Sequence, residues 1–186
     1  MPPENRSASS GYPWYEWVSG SAIEQGDLLL DFPILVMDQP IREAEGTADA
    51  RGEIRNVIVM SQTCDIQWRK VKHLVLCPCY EFREFAGQAK KWGKKECQDL
   101  LRGNLPGYHL MNEREGGLQR IPFQVVDFHE VLSAPLGVAR AFAEGLEKQR
   151  PRLCPPYREH LAQAFARFFM RVGLPVDIPE HKLALR

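Results

Sequence analysis

The chain is 186 residues long, 44% apolar and 26% charged, with 24 basic and 24 acidic side chains. That length and composition describe one globular domain with some appendage, and the zero net charge excludes a whole-molecule attraction to nucleic acid or acidic lipid, leaving local patches to serve such partners. No apolar run reaches membrane-spanning length, no signal-peptide core opens the chain, and five cysteines, an odd count, read as free thiols of a cytoplasmic protein.

Residues 1–20 read as a flexible arm. Residues 1–11 are Pro, Ser, Asn and Gly without an apolar period. Tyr12-Pro13-Trp14-Tyr15-Glu16-Trp17 is dense in aromatics, either a staple onto the sheet or a stacking platform for bases or a peptide. Gln25-Gly26-Asp27 reads as a turn, and residues 28–37 as a first strand bent or edged where Pro33 interrupts it. Residues 38–53 form a long polar connection, a functional lid or a surface insertion.

Two apolar runs, Val57-Ile58-Val59-Met60 and Leu74-Val75-Leu76-Cys77, have strand length and no polar alternation, the pattern of strands covered on both faces. They are expected to pair as a hairpin over 54–63 and 73–80, with Met60 opposite Cys77 and Ile58 opposite Cys79. The first run ends in Ser61-Gln62-Thr63-Cys64-Asp65, a polar cluster at the edge of a core.

Residues 81–101 have helical composition weakened by Gly87 and Gly93. Residues 108–111 and 121–128 read as short strands around Gly116-Gly117. Ser133-Ala134-Pro135 opens an Ala-rich helix reaching Lys148. The last helix follows Pro155-Pro156 and carries Leu161, Phe165, Phe168, Phe169 and Val172 on one stripe, with Gly173-Leu174-Pro175 to end it.

The order Gly26-Asp27-Leu28-Leu29, long loop, Arg55, Val57 to Ser61, loop, Val75-Leu76-Cys77-Pro78 is similar to the start of the PemK/MazF family. The resemblance implies a small, strongly bent SH3-like barrel with the long loop over a nucleic-acid groove. Many family members are endoribonuclease toxins. Arg55 carries over as a phosphate contact. Two positions depart from the family's pattern: Arg55 is followed by Asn56 instead of Pro, and Pro78 by Cys79 and Tyr80 with no Thr. The barrel therefore carries over ahead of the ribonuclease activity. The ending, Pro156 to His160 and Arg171 to Pro175, also looks like that of uncharacterised bacterial proteins.

Three constellations could carry chemistry. Cys64 and Asp65 with His73 offer a thiol nucleophile, a carboxylate and a base, the set of a Cys-dependent hydrolase; the plainer reading is a structural Cys and a surface His. Cys77 and Cys79 with Cys64 and His73 supply four zinc-ligand types, but one residue between two strand cysteines is not the usual knuckle spacing, so no metal or other cofactor is expected. Arg69, Lys70, Lys72, Lys90, Lys91, Lys94 and Lys95, with Trp68 and Trp92 among them, form a basic stretch with indoles suited to stacking on bases, or a solvated face. Asp127-Phe128-His129-Glu130 reads as structural, because successive strand residues face opposite ways.

These residues predict an α+β fold: a small bent antiparallel barrel over about 26–128, packed by helices over about 133–175, in one domain spanning 21–186. The leading function is nucleic-acid binding, with or without cleavage, at Arg55, residues 61–65 and the basic residues. Two alternatives stand beside it: a non-catalytic interaction subunit of a bacterial multi-component system, docking through the aromatic arm or last helix, and a hydrolase using Cys64.

Overall fold

The computed structural model describes residues 12–37, 50–88, 92–116, 119–146 and 149–170. Among them the order is β1 (Tyr15–Val18), β2 (Leu28–Met37), β3 (Ala50–Val59), α1 (Thr63–Gln67), β4 (His73–Glu81), α2 (Phe82–Gln88), α3 (Lys94–Leu101), β5 (Tyr108–Met111), β6 (Gln124–Asp127), β7 (Leu132–Pro135), α4 (Leu136–Glu144), β8 (Arg150–Leu153) and α5 (Tyr157–Phe169). None of the described helices is long and apolar enough to cross a membrane.

β4 is the centre. One edge pairs with β3 through Val57↔Pro78, Ile58↔Cys77 and Val59↔Leu76. The other edge takes β7 along His73 to Leu76 and β6 along Cys79 to Glu81, all antiparallel. β6 and β7 are thus two halves of one pass beside β4, parted by residues 128–131. β2 lies outside β3 and β5 outside β6. The hairpin between β3 and β4 forms, with its register two residues from the expected one: Ile58 faces Cys77, not Cys79. A two-residue slip keeps each side chain on its face, so alternation alone could not choose between the two.

The expected barrel is not formed. β2 and β5 are the two edges of an open six-stranded antiparallel sheet, and β1 and β8 make a separate two-stranded sheet. The physical reason lies in the central runs. Val57, Val59, Leu74 and Leu76 pack into one buried cluster with Ile66 of α1 and Leu136, Ala139 and Ala143 of α4. Ile58, Met60, Cys77 and Cys79 turn the other way, into a second cluster with Tyr15, Leu153 and Leu161. Strands apolar on both faces need cover on both sides, whereas a small barrel encloses one face and leaves the other to solvent.

β2 and β3 keep register except at a bulge between Leu29 and Phe32, where Asp31 has a φ of 57° and its N–H donates to Asn56 Oδ1. Residues 81–101 form two short helices, not one; Gly93 caps α3, its N–H donating to Glu96 Oε2 at 2.8 Å. Pro135 ends β7 and caps α4. On α5, Leu161 is buried and Ala164, Phe165 and Phe168 pack on the second cluster, whereas Phe169 is 57% exposed. Lys148, Val172 and the Gly173 to Pro175 stop lie outside the described residues, as does most of the 38–53 connection.

A buried charge cluster joins the two sheets. Asp27, fully buried, accepts from Arg150 Nε at 2.9 Å and from Arg152 through both carboxylate oxygens. Arg152 also meets Glu24 at 3.0 Å, and Arg150 donates to the carbonyls of Gly20 and Ala22. Every charge taken out of water here has an opposite partner, which is the condition for burying one.

Candidate functional site

The polar cluster after β3 makes a short, well-tied turn. Ser61 Oγ accepts from Val75 N–H at 2.8 Å, Thr63 Oγ1 from Gln25 N–H at 3.1 Å, and Met60 O from Gln25 Nε2 at 3.0 Å. Three of the polar side chains or their neighbours are therefore spent on joining α1 to β4 and to the Gln25 turn. Cys64 is exposed, its Sγ 3.6 Å from Gln62 Oε1 and 3.8 Å from Asp65 Oδ1. Asp65 meets Lys70 at 3.5 Å. His73 is exposed at the start of β4 and has no hydrogen bond to Cys64 or Asp65. The thiol and carboxylate are brought together; the base is not joined to them.

Cys77 and Cys79 face the second core cluster, away from exposed Cys64. Burial, then Asp127, pushes the Cys77 thiol up to about 12, and burial, then Cys77, raises Cys79. Both are held as neutral thiols. Among the described residues no three His, Cys, Asp or Glu side chains gather as a metal site requires.

The basic residues divide between the two ends of β4. Trp68, Arg69, Lys70 and Lys72 lie in the α1–β4 connection, before His73; Lys94 and Lys95 lie on the first turn of α3, beyond Glu81. Nine residues of strand separate the two ends, roughly 26 Å. Trp68 is 76% exposed. Trp92 instead packs edge-on against Phe85 and Tyr108, at 5.1 and 5.6 Å between ring centres. Lys90 and Lys91 lie outside the described residues.

Arg55 belongs to a different group. It pairs with Glu53 and with Glu130, and the hydrogen bond to Glu53, its largest influence, holds its guanidinium charged. Tyr80 donates to Glu130 Oε2 at 3.1 Å; burial, then Glu130, pushes its hydroxyl up to about 12. Beside them, in the gap between β6 and β7, Asp127 Oδ1 lies 2.7 Å from His129 Nδ1 and accepts the His129 backbone N–H at 2.8 Å. The His129 ring rests on Gly107, where a Cβ would come within 1.9 Å of Cε1, and lies 4.9 Å from Tyr108 and 5.0 Å from Phe168. Carboxylate orientation of one imidazole nitrogen, with the ring clamped and half exposed, is an arrangement that supports general acid–base work at the other nitrogen.

Read as strand, residues 127–130 point successive side chains to opposite faces, and His129 does not stand out. Strand β6 ends at Asp127, and five residues, 127–131, stand against Cys77 and Pro78 of β4. The i, i+2 spacing of Asp127 and His129 was the available signal.

The charges of this face sum to a deficit. Arg51 and Arg55 bring two positive charges, Glu53, Asp127 and Glu130 three negative ones. For Arg55 to meet a phosphate it would first have to give up two carboxylates.

No family model, curated protein or solved structure matches the chain.

Proposed function

We propose that the chain binds single-stranded nucleic acid at the α1–β4 connection. One observation carries this reading: Trp68 is 76% exposed, Arg69 and Lys72 follow it in the same connection, and neither cation has a carboxylate partner among the described residues. An exposed indole with two cations in the same short connection pairs a stacking surface with phosphate contacts. Ser61 Oγ, accepting from Val75 N–H of β4, and Thr63 Oγ1, accepting from Gln25 N–H, give that connection a fixed base. Arg55 is left out of the contact, because its charge is already neutralised.

The test is retention of labelled 20-nucleotide RNA and DNA over a salt series, with breakage scored in the same samples. Trp68→Ala should weaken retention by roughly 5- to 100-fold, the range expected for one stacked base. Arg69→Gln with Lys72→Gln should flatten the salt slope by about 0.7 per charge removed. Retention unchanged by Trp68→Ala at low salt would remove the reading.

A second reading, hydrolysis at the Asp127–His129 pair, is favoured by the clamped imidazole. Breakage lost on His129→Ala with retention intact would support it; breakage independent of His129 would end it.

A further inference from the structure

Beside β5, on the edge of the sheet remote from the α1–β4 connection, lies a cleft of about 540 Å³ between the end of α3, β5 and α5. That is the size of a small-molecule site, and its walls are mostly apolar. Trp14 and Tyr157 stack face to face at one end, 3.7 Å between ring centres and 11° between planes, while Phe123 and Leu110 line the cleft too.

Three polar groups converge on this space. His109 is only 9% exposed, and its ring nitrogens have no hydrogen-bond partner among the described residues. They are nevertheless not sealed in, as Trp17 Nε1 and Gln124 Oε1 are; the opening they meet is the cleft. An imidazole whose nitrogens open onto the cleft keeps both available to whatever occupies it. Arg102, at the end of α3, and Arg167, in the last turn of α5, also line the cleft, and neither has a carboxylate partner among the described residues. His160 stands 5.2 Å from His109, ring to ring.

We propose that this cleft binds a planar aromatic or heteroaromatic molecule carrying one acidic group, a carboxylate or a phosphate. The apolar and aromatic walls take the ring. His109 hydrogen-bonds its polar edge, and Arg102 and Arg167 hold the acid. Burial, then His160, keeps the His109 imidazole down at about 4, so near neutral pH the ring is uncharged and offers one donor and one acceptor. The anion is therefore met by the arginines and the ring edge by the histidine, which separates the two contributions experimentally. The site is independent of the nucleic-acid reading.

The experiment is calorimetric titration of the full chain, with Trp fluorescence as a second readout. Indole-3-acetate and adenosine 5′-monophosphate are each compared with an uncharged counterpart, indole-3-acetamide and adenosine. One acid should bind at least tenfold more tightly than its counterpart, and which one shows whether the group is carboxylate or phosphate. The double variant Arg102→Gln, Arg167→Gln changes exposed residues only, so its fold is retained; it should reduce the acid to the affinity of the neutral compound. His109→Asn should weaken acid and neutral compound alike. The inference is overturned if neither acid binds at millimolar concentration, if acid and neutral forms bind equally, or if the double variant binds the acid as the parent does.

Discussion

The His129 ring occupies the room that a side chain at Gly107 would need: a Cβ there would lie 1.9 Å from Cε1 and 2.5 Å from Nε2. The two residues belong to different connections and are fitted to each other. Gly107→Ala should therefore push the ring off its seat and cost about 1–3 kcal/mol, as overpacking does. The double variant Gly107→Ala, His129→Ala should recover much of that loss. Urea unfolding of the four members of the cycle measures the coupling, and a Gly107→Ala penalty unchanged by removing the ring would mean the two are independent.

Among the described residues Asp27 is the only carboxylate paired with both Arg150 and Arg152. Asp27→Ala leaves two largely buried guanidiniums short of their anion and should destabilise by about 3–5 kcal/mol. Chemical denaturation checks this, and an effect below 1 kcal/mol would show that Glu24 and the carbonyls of Gly20 and Ala22 suffice for both arginines.

The apolar stripe of α5 grades from core to surface. Leu161 is fully buried, Phe168 half-buried against Phe128 and His129, and Phe169 57% exposed. Leu161→Ala should cost about 2–5 kcal/mol, Phe168→Ala less, and Phe169→Ala least. If Phe169→Ala leaves the unfolding midpoint unchanged but lowers the mass in sedimentation, the stripe's outer edge is an interface.

The cysteines should separate by reactivity. Cys64 is exposed, whereas Cys77 and Cys79 are buried with thiols raised out of the reactive range. Mass spectrometry after iodoacetamide should find Cys64 modified in the folded chain and Cys77 and Cys79 only in denaturant. Early modification of Cys77 would show that β4 opens at its C-terminal half.

His109 gives a pH dependence with a definite sign. Its ordinary value of 6.5 applies in the unfolded chain, and burial followed by His160 brings it to about 4 when folded. Between those values the unfolded chain binds the extra proton, so stability falls as pH drops from 6.5 towards 4. The loss from this residue is on the order of 3 kcal/mol, and it is complete below the folded value. His109→Gln should flatten that part of the stability curve; an identical curve would place the acid sensitivity elsewhere.

What the sequence made legible follows from what each signal encodes. The doubly covered strands, β5 and the amphipathic face of α5 are local patterns, and all are present. The barrel failed because these doubly apolar runs need cover on both faces, while the strands that end up at the edges, β2 and β5, are set by long-range pairing. Helix 81–101 divided at Gly93, where the glycine had already weakened the periodicity. Strand β8, Arg150-Pro151-Arg152-Leu153, carries no hydrophobic alternation; it is held by β1 and by Asp27, both far away in the chain. The aromatic arm shows the same dependence. Trp14 stacks on Tyr157, Tyr15 is buried and donates to Asn112 O at 2.8 Å, and β1 forms only because β8 is there. Of the site residues, Trp68 and Cys64 stand out by type after a buried strand, but their exposure is not legible in the sequence. His129 and His109 do not stand out, since their surroundings come from Gly107 and from α5.

Pairing of β1 with β8 puts Tyr15 beside Leu153. A ribosome making this chain releases Tyr15 long before it has translated its partner. During that interval the aromatic segment has no strand to join, and the inner layer of the second core lacks both Leu153 and Leu161. Among the described residues the first core draws on none after Ala143 and can close earlier. Synthesis therefore leaves a half-covered sheet waiting, its Cys77 and Cys79 face uncovered, until Leu153 and Leu161 emerge and shut it.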